Sequence, residues 1–171
     1  DRVTGVRLDT GEDVDADVTV CAAGWRSPAL LATAGAGLPL VDPVAPGSAA
    51  PCNIATTTPA PGTVRGVVHS PDLVTRPAPG GGLVLEAADL DAAAEDSPTP
   101  SGGHATELLA RARALIPGLS VRIRDIRRCV RPLPVDGYPL IGYQRPGLYT
   151  AVTHSGITLA PHLADLVHGE I

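Results

Sequence analysis

Residues 147–161 carry the stretch GLYTAVTHSGITLAP, which decides how this chain is organised. Its first part, residues 148–152, is short and apolar, as expected for a buried strand. The small and polar residues 153–156 then predict a tight turn, and residues 157–167 predict a helix that Gly169 ends. A strand, a tight turn and a helix in this order present the N-terminal amides of the helix, with their partial positive charge, to whatever lies above the turn.

Two other segments end predicted strands with Gly or Pro. They are CAAGW at residues 21–25 and CVRPLPVDGYPLIG at residues 129–142. Strand ends of this kind are where ligands approach the backbone in α/β folds. Each of the three segments is therefore a candidate for ligand binding.

The rest of the chain has the pattern of an antiparallel sheet with few helices. Residues 3–8 and 14–20 alternate apolar and polar positions and predict a β-hairpin, followed by a buried strand at 18–24. Ser27 is predicted to cap a short helix, with Pro28 at its first position. Further strands are predicted at residues 52–58, 64–69, 73–76, 82–86, 121–131 and 139–142.

Two other stretches between these strands have a recognisable pattern. Residues 104–116 carry apolar residues at helical spacing, and Pro117 and Gly118 end the pattern. Residues 86–100 are acidic and Ala-rich, then Ser/Pro-rich, and predict an exposed connection with a solvated acidic face.

Composition excludes several classes of function. The 171 residues contain 13 basic side chains, and all of them are Arg. Without Lys there is no pyridoxal Schiff base, no phosphate-loop lysine and no Ser-Lys dyad. The formal net charge of -5 argues against a nucleic-acid partner. No apolar run is long enough to cross a bilayer, so we expect a soluble, cytoplasmic protein with no membrane partner.

The three cysteines, Cys21, Cys52 and Cys129, contain no CxxC pair. Their odd number indicates neither a disulfide framework nor a cysteine zinc site. His162 and His168 lie six positions apart on the last predicted helix and so fall on different faces, which argues against a metal site there. His154 and Ser155 lack a GxSxG elbow, which argues against a hydrolase.

The three glycine- and proline-bearing segments resemble the C-terminal half of the FAD-dependent D-amino-acid oxidase superfamily, which includes glycine oxidase and sarcosine oxidase. The resemblance implies a mixed α/β (α+β) fold, in which part of a Rossmann-like FAD-binding domain accompanies an antiparallel-sheet substrate domain. It assigns residues 1–26 and 127–171 to the FAD domain and residues 27–126 to the substrate domain. The GxGxxG segment of such proteins is not in this sequence, so we expect a partial chain that retains flavin weakly by itself.

The resemblance also implies a chemistry. Hydride would pass from the α-carbon of an amine or amino acid to flavin N5 and give an imine, with Arg131 binding the substrate carboxylate through two parallel hydrogen bonds. Cys129 falls where sarcosine oxidase carries its covalent flavin attachment. The expected FAD contacts are Ala23, Gly24, Trp25, Asp136, Gly137, His154, Ser155, Gly156, Ile157 and Thr158.

A second interpretation stays open. The chain could be a noncatalytic fragment or substrate-binding module that kept the sheet and lost the cofactor. For Cys129 and for the small residues Ala23 and Gly24, a purely structural role in close packing is the alternative. No side chain is assigned as a catalytic acid or base.

Overall fold

The computed structural model describes residues 1–93 and 102–171. A single 3₁₀ turn covers Gly24–Arg26. The strands and helices in chain order are β1 (Gly5–Arg7), β2 (Asp13–Asp15), β3 (Thr19–Cys21), α1 (Ser27–Thr33), β4 (Pro51–Thr57), β5 (Val68–His69), β6 (Val74–Pro77), β7 (Leu83–Glu86), α2 (Ala88–Ala93), α3 (Gly102–Leu115), β8 (Ile123–Val130), β9 (Leu140–Arg145), β10 (Leu148–Val152) and α4 (Gly156–Glu170).

These elements form two compact units. The first unit contains residues 1–41 and 131–171, and the second contains residues 42–130. The changes of unit at 41/42 and 130/131 keep α1 in the first unit and all of β8 in the second, whereas the predicted domain boundaries lie at 26/27 and 126/127. Which ligand each unit binds stays a prediction.

The first unit contains a two-stranded hairpin, β1 and β2, and a three-stranded sheet in the order β3-β10-β9. Strand β10 runs parallel to β3 and antiparallel to β9. The core of this unit gathers Cys21, Leu31 and Leu148, so β3 and β10 are covered by α1 on one face.

The second unit is built on a five-stranded antiparallel sheet in the order β5-β6-β7-β4-β8. Strand β4 is an interior strand and is buried at most positions. Strand β8 forms an edge and carries Arg124, Arg127 and Arg128, charges that discourage pairing with another chain. The core of the unit consists of Ala55, Leu73, Leu83, Leu85, Ala87, Leu108, Ala112, Leu119 and Val121. Mixed α/β architecture with an antiparallel sheet confirms the predicted fold class.

Several local predictions were wrong. Ser27 does not cap α1, because the 3₁₀ turn runs directly into the helix and leaves Arg26 at the cap position and Ser27 buried. Gly169 does not end α4, which continues through Glu170. The strand predicted at 18–24 is limited to β3, and Val20 within it is 40% exposed.

The acidic stretch also differs from the expectation. Residues 88–93 form α2, and Asp91 is buried rather than solvated. Its Oδ1 accepts hydrogen bonds from the Asn53 backbone amide at 2.7 Å and from the Asn53 side-chain amide at 3.3 Å. The part of the prediction that concerns residues 94–100 lies outside the described residues.

Candidate functional site

Two parallel strands of the first unit end at the same edge of their sheet. Leu148 lies opposite Thr19 and Thr150 opposite Cys21, so the carboxyl ends of β3 and β10 are neighbours. The chain continues from β3 into residues 22–24 and from β10 into residues 153–156. The edge beyond the carboxyl ends of parallel strands is the usual ligand position in α/β sheets.

A pocket of about 570 Å³ opens at this edge. Small and aliphatic residues predominate in its lining, and Thr153 and His168 are its polar side chains. The pocket is lined by Ala22, Gly24, Pro132, Ala151, Val152, Thr153, Gly156, Ala160, Leu163, Ala164, Val167, His168 and Ile171.

Helix α4 begins beside this pocket without a side-chain cap. Ser155 occupies the cap position but makes no capping hydrogen bond, and its Oγ instead lies 3.4 Å from His154 Nδ1. The first amides of a helix have no intrahelical acceptor. Ile157 is 97% exposed, so the start of α4 offers backbone donors to an acceptor from outside the helix.

The other end of α4 is tethered to β10 by one hydrogen bond. The Tyr149 hydroxyl donates to Glu170 Oε2 at 2.7 Å, and the Tyr149 side chain is completely buried. Burial, and then the bond to Glu170, raise the pKa of Tyr149 to about 12. The Tyr143 ring meets the Tyr149 ring edge-on at 5.0 Å. No residue of α4 is itself fully buried, so this bond is a specific determinant of where the helix lies.

The turn after β3 is made possible by Gly24. Its φ of +58° is a left-handed conformation that favours glycine, and a Cβ there would still lie 3.9 Å from Pro132 Cγ, so the position has room. Trp25, which follows, is 43% exposed and holds the Arg26 guanidinium 5.2 Å from its ring centroid.

The structure brings some of the predicted site residues together and places others elsewhere. Gly24 and Gly156 line the same pocket, and Ala23, Trp25, His154, Ser155, Ile157 and Thr158 are their neighbours in the chain. Arg131 is half-buried and directly precedes the pocket residue Pro132.

Asp136 and Gly137 do not line this pocket. They belong to an exposed turn that satisfies its own polar groups, since Asp136 Oδ1 accepts the Tyr138 amide at 3.0 Å and the Gly137 amide bonds the Pro134 carbonyl at 3.0 Å. Cys129 lies on β8 of the second unit, directly opposite Cys52.

Sequence reasoning missed the part of the pocket that α4 provides. Ala160 and Ala164 continue from Gly156 at four-residue spacing and so form one stripe of the helix. That spacing is readable in the sequence, but a stripe of small residues is equally typical of close helix packing. His168, at the next position of the same stripe, was considered only as a metal ligand.

Two further findings concern the described residues as a group. Across residues 1–93 and 102–171, no three His, Cys, Asp or Glu side chains are grouped so that they could hold a metal ion. Over the same ranges, no helix has both the length and the apolar character that crossing a bilayer requires.

The model of the FAD dependent oxidoreductase (DAO) family matches residues 1–168. The chain belongs to this family. Membership in the DAO family confirms the resemblance seen in the three glycine- and proline-bearing segments. No curated protein matches the chain.

Solved structures share the fold of this DAO-family chain. Glycine oxidase from Bacillus cereus ATCC 14579 has a TM-score of 0.71 at 22% identity, over 99% of this chain and 47% of its own. L-proline dehydrogenase from P. horikoshii has a TM-score of 0.77 at 19% identity, over 99% and 47%. L-amino acid deaminase from Proteus vulgaris has a TM-score of 0.73 at 18% identity, over 98% and 43%. The chain therefore spans about half the length of these structures.

Proposed function

We propose that the complete protein uses FAD to oxidise an amine or an amino acid. The observation that carries this proposal is the pocket at the carboxyl ends of β3 and β10, where Gly24 and Gly156 meet beside the uncapped start of α4. Family membership supports FAD as the cofactor, and the similar structures are a glycine oxidase, an L-proline dehydrogenase and an L-amino acid deaminase.

The residues present fit part of a flavin. The volume of about 570 Å³ lies within the range of ligand pockets, and the small side chains of Ala22, Gly24 and Gly156 let a planar ring approach the backbone. When bound, FAD supplies a two-electron acceptor whose reduced form gathers negative charge on its pyrimidine side. The amides of Gly156, Ile157 and Thr158 are preorganised donors for such charge, since no side chain caps them.

The loop residues around these glycines contribute contact surface. Trp25 offers an exposed aromatic ring, and the Ala23 carbonyl accepts the Arg26 amide at 3.2 Å in the turn after β3. His154 and Ser155 are exposed at the turn before α4. Contacts of Asp136 and Gly137 with the cofactor, and a thioether at Cys129, stay predictions.

Arg131 is the proposed substrate residue. A guanidinium binds a carboxylate through two parallel hydrogen bonds and so fixes the substrate's orientation as well as its charge. With Arg131 in this role, we expect the substrates to be amino acids rather than simple amines. Removal of the guanidinium should abolish turnover of carboxylate-bearing substrates while leaving flavin binding unchanged.

The first experiment fills the pocket at Gly156 in the complete protein. A Cβ at Gly156 meets only Thr153 Cγ2, at 3.9 Å, so the first atom of a side chain has room there, and we expect the rest of the Gly156→Leu side chain to take up pocket space. Gly169→Leu, on the same helix with open space around it, is the matched control. We expect Gly156→Leu to lower FAD affinity at least about tenfold, as a loss of roughly 1.4 kcal/mol implies, and Gly169→Leu to leave it unchanged.

The readouts are flavin absorbance, measured on pellet and supernatant after acid precipitation, and anaerobic bleaching of that absorbance by amino acids. Bleaching that is lost in Arg131→Ala and weakened in Arg131→Lys supports the proposed substrate role. A complete protein that takes up no added FAD would instead make the noncatalytic interpretation the leading one. Flavin that stays in the pellet for the wild-type protein but appears in the supernatant for Cys129→Ala would support covalent attachment.

A further inference from the structure

Cys52 and Cys129 lie directly opposite each other on neighbouring antiparallel strands, β4 and β8. Opposite residues on such strands point to the same face of the sheet, with Cα atoms about 4.5 or 5.5 Å apart depending on the hydrogen-bonding pattern. Both spacings fall within the range of about 4.4–6.8 Å that disulfides span. The pair therefore has the backbone geometry of a cross-strand disulfide.

The register that places the two cysteines is well fixed. It runs without a shift from Pro51 opposite Val130 to Thr56 opposite Asp125. Strand β4 is held from its other side as well, because the amide of Asn53, next to Cys52, donates to the buried carboxylate of Asp91. A slip by one residue would move the cysteines to opposite faces, and the buried pattern of β4 opposes such a slip.

The two thiols differ in access to solvent. Cys52 is only 4% exposed, whereas Cys129 is half-buried on the edge strand β8. A small oxidant can therefore reach Cys129, while Cys52 is positioned to react with the product. A reachable thiol beside a resolving thiol is the arrangement that reversible oxidation of cysteine needs.

We propose that Cys52 and Cys129 are a redox-sensitive pair that hydrogen peroxide converts to an intrachain disulfide. The Cys129 sulfur attacks one peroxide oxygen, the O–O bond breaks, and the products are a sulfenic acid and one water. The Cys52 sulfur then displaces the hydroxyl from the Cys129 sulfur, which forms the S–S bond and releases a second water. Two thiols lose two electrons and two protons in total, and one peroxide is reduced to two waters.

This site is independent of the proposed flavin chemistry, because neither thiol needs a cofactor for the reaction. It does compete with the predicted thioether, since one Cys129 sulfur cannot carry both bonds. The closed disulfide would join residues 52 and 129, which bracket most of the second unit. A cross-link over so long a loop restricts the unfolded chain and raises resistance to unfolding.

The test treats the reduced chain with hydrogen peroxide, blocks remaining thiols by alkylation and maps peptides after trypsin digestion. Cleavage after arginine, except before proline, puts Cys21, Cys52 and Cys129 in the separate peptides 8–26, 27–65 and 129–171. We expect a mass loss of about 2 Da in the intact chain and a linked peptide of 27–65 with 129–171, both reversed by dithiothreitol.

Cys21→Ala is the matched control, because Cys21 is equally buried but lies in the first unit. This variant should give the same linked peptide, and Cys52→Ala or Cys129→Ala should give none. Oxygen adducts on Cys129 with Cys52 still alkylated, or links between two chains, would overturn the proposal. Because the wild-type peptide map decides by itself, a variant that fails to fold does not remove the test, and flavin binding does not enter it.

Discussion

Removal of one buried hydroxyl should loosen α4 from its sheet. Tyr149→Phe keeps the ring that fills the space under α4 but deletes the donor that lies 2.7 Å from Glu170 Oε2. Hydrogen bonds to charged groups contribute about 1.5–3 kcal/mol. Glu170 is exposed and regains water when its partner is lost, so we expect a cost near the lower end, about 1–2 kcal/mol.

A double-mutant cycle isolates this bond from the packing around it. If the bond carries the effect, Tyr149→Phe, Glu170→Ala and the double variant should show a coupling of about 1 kcal/mol. Tyr143→Phe is the matched control, since it removes a hydroxyl from the half-exposed ring that meets Tyr149 edge-on and should cost less than about 0.5 kcal/mol. Urea unfolding gives the global values, and amide hydrogen exchange of α4 gives the local ones.

The same variant predicts a pH dependence. The pKa of Tyr149 is about 12 in the folded chain, because burial and the bond to Glu170 favour the neutral phenol, against about 10 when unfolded. Its contribution is therefore complete below pH ~10 and is lost as the pH rises through ~12. Wild type should lose stability in this window faster than Tyr149→Phe. Equal slopes, or a coupling below about 0.3 kcal/mol, would refute the role of this bond.

Two other perturbations test the packing of each unit. Gly147 has a φ of +78° and a Cβ there would overlap the Val3 carbonyl oxygen, whereas Gly137 has a φ of +79° with open space around it. Both Gly→Ala variants carry backbone strain of about 1–3 kcal/mol. The loss in free energy of unfolding, measured with urea, should be larger for Gly147→Ala than for Gly137→Ala by at least about 1 kcal/mol. Equal losses would mean that the segment around Val3 can move away from Gly147 at little cost. In the second unit, hydrogen bonds from Arg111 hold the pKa of Asp89 below its usual value. The stability of the folded chain should therefore fall as the pH drops below about 4. Arg111→Ala should lose that dependence in thermal melts between about pH 2 and 6. An unchanged acid profile in that variant would show that the ion pair does not contribute in solution.

Much of the local structure was predictable because it depends on short-range pattern. The apolar spacing over 104–116 predicts α3, and the apolar run 148–152 predicts β10 with the same first and last residues as the structure. Turn residues between short alternating runs predict β6 and β7 to within a residue or two. The cap predicted at Ser27 was wrong because the 3₁₀ turn runs directly into α1.

Long-range pairing was not predictable in this way. Cys52 and Cys129 are far apart in sequence, and nothing in either local pattern sets the register that brings them opposite each other. Asp91 lies in an acidic stretch that is typical of a solvated face, yet it is buried because it accepts the amide of Asn53, 38 positions away. Such contacts depend on which strands pair, in which register, and on what packs against the sheet.

The candidate site shows the same division. Gly24 and Gly156 were predicted because glycine at a strand end has a direct structural meaning, and they line one pocket because β3 and β10 are parallel neighbours. Ala160 and Ala164 were missed, since a small residue on a helix acquires a role only from what faces it. Asp136 and Gly137 lie outside this pocket, in a turn where Asp136 Oδ1 accepts the Tyr138 amide and the Gly137 amide donates to the Pro134 carbonyl, and their contact with the cofactor stays a prediction.

The tether at Glu170 and the uncapped amides at Gly156 occupy the two ends of the same helix, which links the stability of α4 to the proposed function. No residue of α4 is fully buried, so the direction in which its N-terminal amides point depends on how the far end is held. If those amides contact FAD, Tyr149→Phe should weaken both hydrogen-exchange protection of α4 and flavin affinity in the complete protein. A loss of protection with unchanged flavin affinity would mean that the position of α4 does not determine FAD binding. The cofactor contacts would then lie in the turn that follows β3 rather than at the start of α4.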